Sequence, residues 1–472
     1  MNVFHLSAEC YPVAKVGGLG DVVGALPKYQ QLAGVNATVV LPYYDRKFVK
    51  ENNFEVVFES KITMGTFIYP FQVLRETTEK LGFPLHLIKI PGLLDRTEIY
   101  CYPDESEQFL AYQLAFLEWL LNFEVLPDVI HSHDHHAGLI PFLICHSARY
   151  KSLCDIATVL TIHNGQYQGW IGWEKLNLLP DIDVWEGKLL EWGDCINPLA
   201  SAVKCCWKYT TVSPSYLEEL SINSNGLEEL FIAERSKGFG IINGIDTDIW
   251  NPETDTMITA NYSAETSDIG KQKNKLAVCK EFFLDEKKPL LAFIGRLVGE
   301  KGADLLAEAI VKILEKHHGE LNILVLGSGE KEIEESLANL TSIFKDDYNV
   351  FIGYHEALSH RIYAGADFLI MPSRVEPCGL NQLYSLRYGT IPIVRSTGGL
   401  KDTVVDLSEK DGYGICFEDA DVESIVDAAT RAVEIYKNTL QMQLLRTRMM
   451  NLNYSWHQSA AQYINLYNTL KS

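Results

Sequence analysis

The chain predicts an α/β protein of two doubly wound, Rossmann-like domains. Three observations carry that prediction. Its 472 residues exceed what one hydrophobic core organises. Apolar runs bounded by Gly, Pro and Asp alternate with segments of helical period through most of the sequence, and a polar stretch interrupts the alternation near its middle. Strand and helix in that rhythm imply parallel sheets covered by helices on both faces.

In the first half the expected strands are "VFHLSA", "ATVVLPY", "PLHLIKI", "DVIHSHD", "ATVLTIH" and "YTTVSPS". Between them "DVVGALPKYQQLAG" and "SEQFLAYQLAFLEWLLNF" read as helices, the second with Phe109, Leu110, Tyr112, Phe116, Leu117 and Leu120 on broad apolar faces. The segment "NPETDTMITANYSAETSDIGKQKN" reads as polar and poor in order, so the junction is placed after "GIINGIDTDIW", with domains at 1–250 and 251–453. The second half gives "PLLAFIG", "LNILVLG", "NVFIGY", "DFLIMPS" and "IPIVRS", each followed by a helical stretch. Ligands of such sheets bind beyond the carboxyl ends of the strands, which makes the cleft between the halves the expected active site.

A hydrophobic content of 47%, with 23 Tyr and 20 Phe, suits a soluble globular chain. The net charge of −21, from 41 basic and 62 acidic residues, argues against a nucleic-acid partner and favours a neutral polymer such as a polysaccharide over a polyanion. Ten scattered cysteines with no C-x-x-C pair support neither a zinc site nor a redox motif, and read as reduced thiols of an intracellular protein. The chain begins on a strand, without a leader or an apolar run of membrane-spanning length, so a soluble, untargeted and membrane-free protein is expected.

"AKVGGLGDVVGAL" looks like a phosphate-binding loop entering a helix. A G-x-G-x-x-G register counted from Gly18 puts Val23 where the third glycine belongs, with Gly24 one place late, so a dinucleotide loop does not fit. Lys15 beside Gly17-Gly18 suggests a charged phosphate, the alternative being a tight turn with a solvated lysine. Arg296 and Lys301, at the end of "PLLAFIG", form a local positive pocket suited to a diphosphate, or else helix-start residues paired with Glu300 and Asp304. In "SRVEPCGLNQLY", Glu376 is either a capping acid or a carboxylate holding sugar hydroxyls, ahead of Gly379, which is read as opening a helix. The turn "STGGL" offers Thr397, Gly398 and Gly399 to a phosphate. "HSHDHHAGL" gathers His131, His133, Asp134, His135 and His136 without helical ligand spacing, which favours a polar strand-end loop over a metal site. His163 and Asn164 end another strand. The D-x-D pairs Asp181/Asp183, Asp246/Asp248 and Asp419/Asp421, a spacing that elsewhere holds a metal–nucleotide, read in so acidic a chain as chance and turn formation.

Taken together, "KVGGLGDVVGALP", "HDHHAGL", "TIHN", "NGID", "GRLVGEKG", "SRVEPCGLNQLY" and "STGGLKDTV", in order along nearly the whole chain, closely resemble bacterial glycogen synthases and plant starch synthases. That resemblance implies a GT-B glycosyltransferase that transfers glucose from ADP-glucose to the non-reducing end of an α-1,4-glucan, with retention and without a metal or other cofactor. It implies that "YSWHQSAAQYINLY" within residues 454–472 crosses back to complete the N-terminal domain. It assigns Arg296 and Lys301 to the departing diphosphate, and Lys15, Gly18, Thr397 and Gly398 to the donor. Glu376 with the backbone of Cys378, Gly379 and Leu380 would hold glucose, and Tyr354 would stack on adenine. His163 would lie against the anomeric carbon, with Glu9, Asp21, Asp134 and Asn164 nearer the sugars. Two positions depart from the pattern: His135 stands where Trp is common, and Tyr384 stands where the wider retaining group often carries a second Glu. A cytoplasmic location is implied for a bacterial chain, and the plastid stroma for a mature plant or algal one. A UDP- or GDP-glucose transferase and a silent glucan-binding protein are the alternatives.

Overall fold

The computed structural model describes residues 1–180, 182 and 186–470. The chain divides into two compact units, residues 1–243 with 456–472, and residues 244–455. The junction expected at 250 lies inside the second unit, because Trp250 stacks on His360 and Tyr384 there, each with ring centroids 3.8 Å apart.

The first unit holds strands β1 (Asn2–Leu6), β2 (Asn36–Pro42), β3 (Phe54–Met64), β4 (Phe67–Glu76), β5 (Leu85–Lys89), β6 (Val129–His133), β7 (Ala157–Ile162), a small hairpin of β8 (Glu191–Trp192) and β9 (Cys195–Ile196), β10 (Lys208–Thr211) and β11 (Gly238–Gly240). Nine of them form one sheet in the order β11-β10-β7-β6-β1-β2-β5-β4-β3. Its antiparallel pairings are β3–β4 and β4–β5, so β4 is the reversed strand in an otherwise parallel sheet. The second unit holds β12 (Leu290–Leu297), β13 (Asn322–Gly329), β14 (Tyr348–Ile352), β15 (Phe368–Met371), β16 (Ile391–Arg395) and β17 (Ile415–Phe417), all parallel, in the order β14-β13-β12-β15-β16-β17. Relabelled from its first strand this is the 3-2-1-4-5-6 order of a doubly wound sheet. Its direction of winding reverses between β12 and β15. In the first sheet the reversal falls between β1 and β6.

The first helix runs from Gly18 to Leu32, one turn earlier than the sequence suggests, with Pro27 inside it. A proline there cannot donate to the carbonyl four residues back. That carbonyl, of Val23, instead accepts from the buried Cys10 thiol at 3.5 Å. Val22, Leu26 and Tyr29 of this helix pack against Trp456, Ala460, Tyr463, Leu466 and Tyr467 of the last helix, Trp456–Asn468. A 13-residue helix is marginal alone. Burial worth about 1.5–3 kcal/mol per large apolar side chain fixes it on the first unit.

Two further expectations are corrected. The polar stretch after Trp250 is ordered in its second half as the helix Ser267–Glu281. Its Lys271, Asn274 and Lys275 are buried because each is satisfied. The Lys271 amine donates to the carbonyls of Tyr363, Ala364 and Tyr388, each at 3.1 Å, and to Thr390 Oγ1 at 2.7 Å. Lys275 pairs with buried Asp367 at 2.6 Å. The other correction is the β3–β4 hairpin, absent from the expected strands. Asp246 Oδ1 accepts from the Asp248 N–H (3.0 Å) in a turn, as read from sequence, whereas Asp421 caps the helix Val422–Tyr436 through the Ser424 N–H (2.8 Å). Asp181 and Asp183 lie outside the described residues.

Candidate active site

Both sheets place chemistry-bearing side chains at the carboxyl ends of the strands where the winding reverses, the position at which open α/β sheets take their ligands. In the second unit, β12 ends in Arg296 and Leu297, and Lys301 follows in a short turn. The chain leaving β15 supplies Ser373 and Glu376. Lys301 Nζ lies 2.7 Å from Glu376 Oε1, and Ser373 Oγ donates to Glu376 Oε2 at 2.9 Å. Glu376 is buried. It therefore pairs with a cation rather than capping a helix, and the next helix begins at Asn381, two residues beyond Gly379. Arg296 is half exposed and 3.6 Å from Glu300, and Asp304 pairs with Arg374 instead of either expected cation.

Glycines hold this cradle closed. Gly302 has φ +67°, and a Cβ there would meet the Pro372 carbonyl oxygen at 2.2 Å. A Cβ on Gly398 would fall 2.2 Å from the Glu376 carbonyl oxygen, and one on Gly399 would fall 2.1 Å from that of Cys378. The "STGGL" turn thus lies backbone to backbone on the segment that carries Glu376, and the Gly399 N–H donates to the Glu376 carbonyl at 3.1 Å. Two residues not singled out from sequence brace it. Arg395 donates to the carbonyls of Ser373 (2.7 Å) and Arg374 (2.6 Å), and Gln382 Nε2 donates to those of Cys378 (2.9 Å) and Gly379 (3.0 Å). Cys378 is buried, Leu380 packs on the core, and Tyr354 stands 81% exposed. Tyr384, at the position of the wider group's second Glu, is filled by its stack on Trp250.

In the first unit, Glu9 follows β1 and lies beneath the glycine loop. Its Oε2 accepts from the N–H groups of Val16 (2.5 Å) and Gly17 (2.9 Å), and its Oε1 accepts from the Tyr100 hydroxyl at 2.6 Å. Tyr100 in turn stacks on His136 at 5.1 Å. Sequence reasoning missed Tyr100, which is 91 positions from its partner. Lys15 Nζ pairs with Asp21 at 2.6 Å. A Cβ on Gly24 would lie 2.5 Å from the Tyr11 carbonyl oxygen, whereas one on Gly17 or Gly18 would meet nothing within 4 Å. The late glycine is therefore a packing requirement, while the loop glycines border open space.

Asp134, after β6, has φ +54° and is buried. Its Oδ1 accepts from the His163 N–H at 2.7 Å. Burial raises its carboxyl to about 7, against the lowering by the His163 and Asn164 N–H groups. Burial also pushes the His163 imidazole down to about 3, so it stands neutral. Its Nε2 lies 3.0 Å from His133 Nδ1. Asn164 closes a turn on the Gln166 N–H at 3.0 Å, and the His135 Nδ1 is 3.2 Å from the Tyr167 carbonyl. His5, outside that histidine segment in sequence, lies beside it in the fold. His5, His131 and His133 bring ligand atoms within 4.8 Å of one another, but all six of their ring nitrogens have hydrogen-bond partners, which an ion would have to displace.

Known proteins of the same fold resemble the whole chain. Residues 2–233 match the family described as "Starch synthase catalytic domain", and residues 277–444 match "Glycosyl transferases group 1". A glycogen synthase of Flavobacterium johnsoniae is 54% identical over 470 residues, covering 100% of this chain and 99% of that protein. One from Geobacillus thermodenitrificans is 37% identical over 483 residues, covering 100% and 98%. Among solved structures, the catalytic domain of starch synthase IV from Arabidopsis thaliana, bound to ADP and acarbose, superposes with a TM-score of 0.89 at 34% identity and covers 99% of each chain. With two Rossmann-like sheets, a last helix docked on the first of them and full-length similarity to these enzymes, the chain belongs to the glycogen and starch synthase family of GT-B glycosyltransferases.

Proposed function

We propose that the Lys301–Glu376 pair, at the winding reversal of the second sheet, is the electrostatic centre of a retaining glucosyl transfer from ADP-glucose to the non-reducing end of an α-1,4-glucan. This pair is the observation that carries the assignment. A cation and a carboxylate held side by side suit a ligand that is anionic at one end and rich in hydroxyls at the other. Arg296 and Lys301 stabilise the departing ADP diphosphate. Glu376 and the backbone of Cys378, Gly379 and Leu380 hold the glucose hydroxyls, Thr397 and Gly398 border the phosphates, and Tyr354 stacks on the adenine. Lys15 and Gly18 of the first unit are assigned to the donor phosphates, and His163 and Asn164 to the reacting sugar.

Asp21, Asp134 and Glu9, expected on the acceptor side, are assigned here to holding Lys15, His163 and the glycine loop. Their polar atoms already face those groups. In the transfer the C1–O bond to the diphosphate breaks. The leaving phosphate oxygen takes the proton of the incoming 4-hydroxyl on the same face, and the new C1–O4 bond forms with the configuration kept.

The deciding experiment follows labelled glucose into glycogen from ADP-glucose and from UDP-glucose in parallel, with and without chelator. Chelator-resistant incorporation from ADP-glucose, with α-configured product by NMR, is expected. Incorporation from UDP-glucose alone would overturn the donor, and incorporation from neither would favour a silent glucan-binding protein. A cytoplasmic location is part of the proposal and is supported by ten free thiols. Among the described residues no helix is long and apolar enough to cross a membrane.

The glycine loop supplies a paired prediction. Gly24→Ala forces a Cβ onto the Tyr11 carbonyl and should destabilise the first unit by about 1–3 kcal/mol. Gly18→Ala has room and should leave the melting temperature unchanged or slightly raised, yet raise the KM for ADP-glucose several-fold by blocking the approach of the phosphates. Thermal melts and steady-state kinetics on both variants separate the two roles. An unchanged KM in Gly18→Ala would remove this loop from the donor site.

A further inference from the structure

Behind His163 the first unit contains an unbroken line of hydrogen bonds. His163 Nε2 is 3.0 Å from His133 Nδ1, His133 Nε2 is 3.0 Å from His5 Nδ1, and His5 Nε2 is 2.7 Å from Gln30 Oε1. Gln30 Nε2 donates to the Tyr467 hydroxyl at 3.1 Å. Tyr467 lies 2.6 Å from His131 Nδ1, His131 Nε2 lies 2.6 Å from Thr161 Oγ1, and Thr161 lies 2.6 Å from Thr210 Oγ1. Every member beyond His163 is fully buried. The line crosses from β7 to β6 and β1, passes through the first helix and reaches the last helix.

A neutral imidazole has one donor nitrogen and one acceptor nitrogen, so a row of neutral histidines must point its protons one way. The His5, His131 and His133 rings are held neutral by burial, with their pKa values far below the usual imidazole range. Imidazoles and hydroxyls can exchange donor and acceptor by moving a proton, but the Gln30 amide has a fixed oxygen acceptor and a fixed nitrogen donor, so it sets the direction. With Oε1 toward His5, the His5 Nε2 must carry the proton and its Nδ1 must accept. His133 then donates from Nε2, and His163 donates from Nε2 into His133 Nδ1. On the other arm, Tyr467 accepts from Gln30 and donates to His131, which donates to Thr161. All these bonds are satisfied together in this one sense.

We propose that Gln30, His5 and His133 form a positioning relay, anchored on the last helix by Tyr467, that fixes His163 as the Nε2–H tautomer with Nδ1 left as the acceptor. The proposal rests on the reading of His163 as a residue at the reacting sugar. It gives the last helix a function beyond packing: Tyr467 holds the amide whose orientation is passed to His163 three hydrogen bonds away. A buried amide aligned at both ends costs about 1–3 kcal/mol to reverse or leave unpaired, enough to hold one tautomer.

The test uses the full-length chain with 15N-labelled histidine. The His163 ring signals are assigned by difference against His163→Asn, and kcat and KM are measured alongside. The wild type should show His163 protonated at Nε2. Ionised, the carboxylate of Gln30→Glu presents only acceptor oxygens to His5, and this variant should keep that signature. Gln30→Met cuts the relay and should mix the two tautomers, lowering kcat about tenfold to a hundredfold with the ADP-glucose KM within about twofold. Should Gln30→Met fail to fold, the wild type and Gln30→Glu still decide the tautomer. A His163 protonated at Nδ1 in the wild type overturns the relay. A mixed tautomer in Gln30→Met with unchanged kcat instead overturns the placing of His163 at the reacting sugar, and so distinguishes the two failures.

Discussion

Lys301→Ala should lower kcat for glucosyl transfer by roughly 10²–10³, the cost of removing one preorganised stabiliser of charge that develops in the transition state. Negative charge on the departing diphosphate grows as the C1–O bond breaks, so the loss falls mainly on kcat and less on the KM for ADP-glucose. Arg296, half exposed and 3.6 Å from Glu300, is less confined and should not substitute for it. The substitution also leaves Glu376 buried beside Ser373 without its cation 2.7 Å away, costing about 1–3 kcal/mol of stability. Circular dichroism at the assay temperature separates that structural loss from the catalytic one. Lys301→Arg, which keeps the charge but changes its geometry, should recover stability more fully than turnover. Near wild-type kcat in a folded Lys301→Ala protein would remove Lys301 from the reaction.

How far sequence reading reached depended on how each element is buried. Central parallel strands such as Ala157–Ile162 are covered on both faces and stand out as unbroken apolar runs. The edge strand Phe54–Met64 exposes Val56 and Val57 and lacks the clean alternation that signals a half-buried strand. The helix Ser267–Glu281 was hidden for the opposite reason, since the residues it turns inward are Lys271, Asn274 and Lys275. At the site, Lys301 and Glu376 are each legible from their place after a strand. Their ion pair is not, because 75 positions separate them and only the sheet order brings β12 beside β15. Tyr100, Arg395 and Gln382 carry no sequence signal, because each acts on a loop carbonyl or carboxylate that the fold brings near. The same limit hid His5, whose role depends on lying beside His131 and His133 across β1 and β6.

Lowering the pH from 7 to 4 should destabilise the first unit steeply. His5, whose pKa burial lowers to about 4, and His131, His133 and His136, lowered well below the ordinary value, are neutral in the folded state. An unfolded histidine takes up a proton near 6.5, so below that pH the unfolded chain binds more protons than the folded one. Stability from these groups is therefore complete above about 6.5 and is lost as the pH falls toward the folded values. Each histidine contributes a slope of about 1.4 kcal/mol per pH unit across that window. Asp134 acts in the opposite sense. Its folded carboxyl is raised to about 7, so it contributes stability that declines as the pH rises from about 4 to 7. One carboxylate against these four histidines, with His86, His135 and His163 lowered by burial in the same sense, leaves the acid-labile sense dominant. Hydrogen exchange at the amides of β1 and β6, compared at pH 7.5, 6 and 5 after correction for intrinsic rates, reads the opening free energy of this unit directly. Protection should fall progressively below pH 6.5, and Asp134→Asn should steepen the fall by removing the opposing term. Protection that is flat to pH 5 would mean that the buried imidazoles remain as easily protonated folded as unfolded. The line of neutral rings behind His163 would then lose its physical basis.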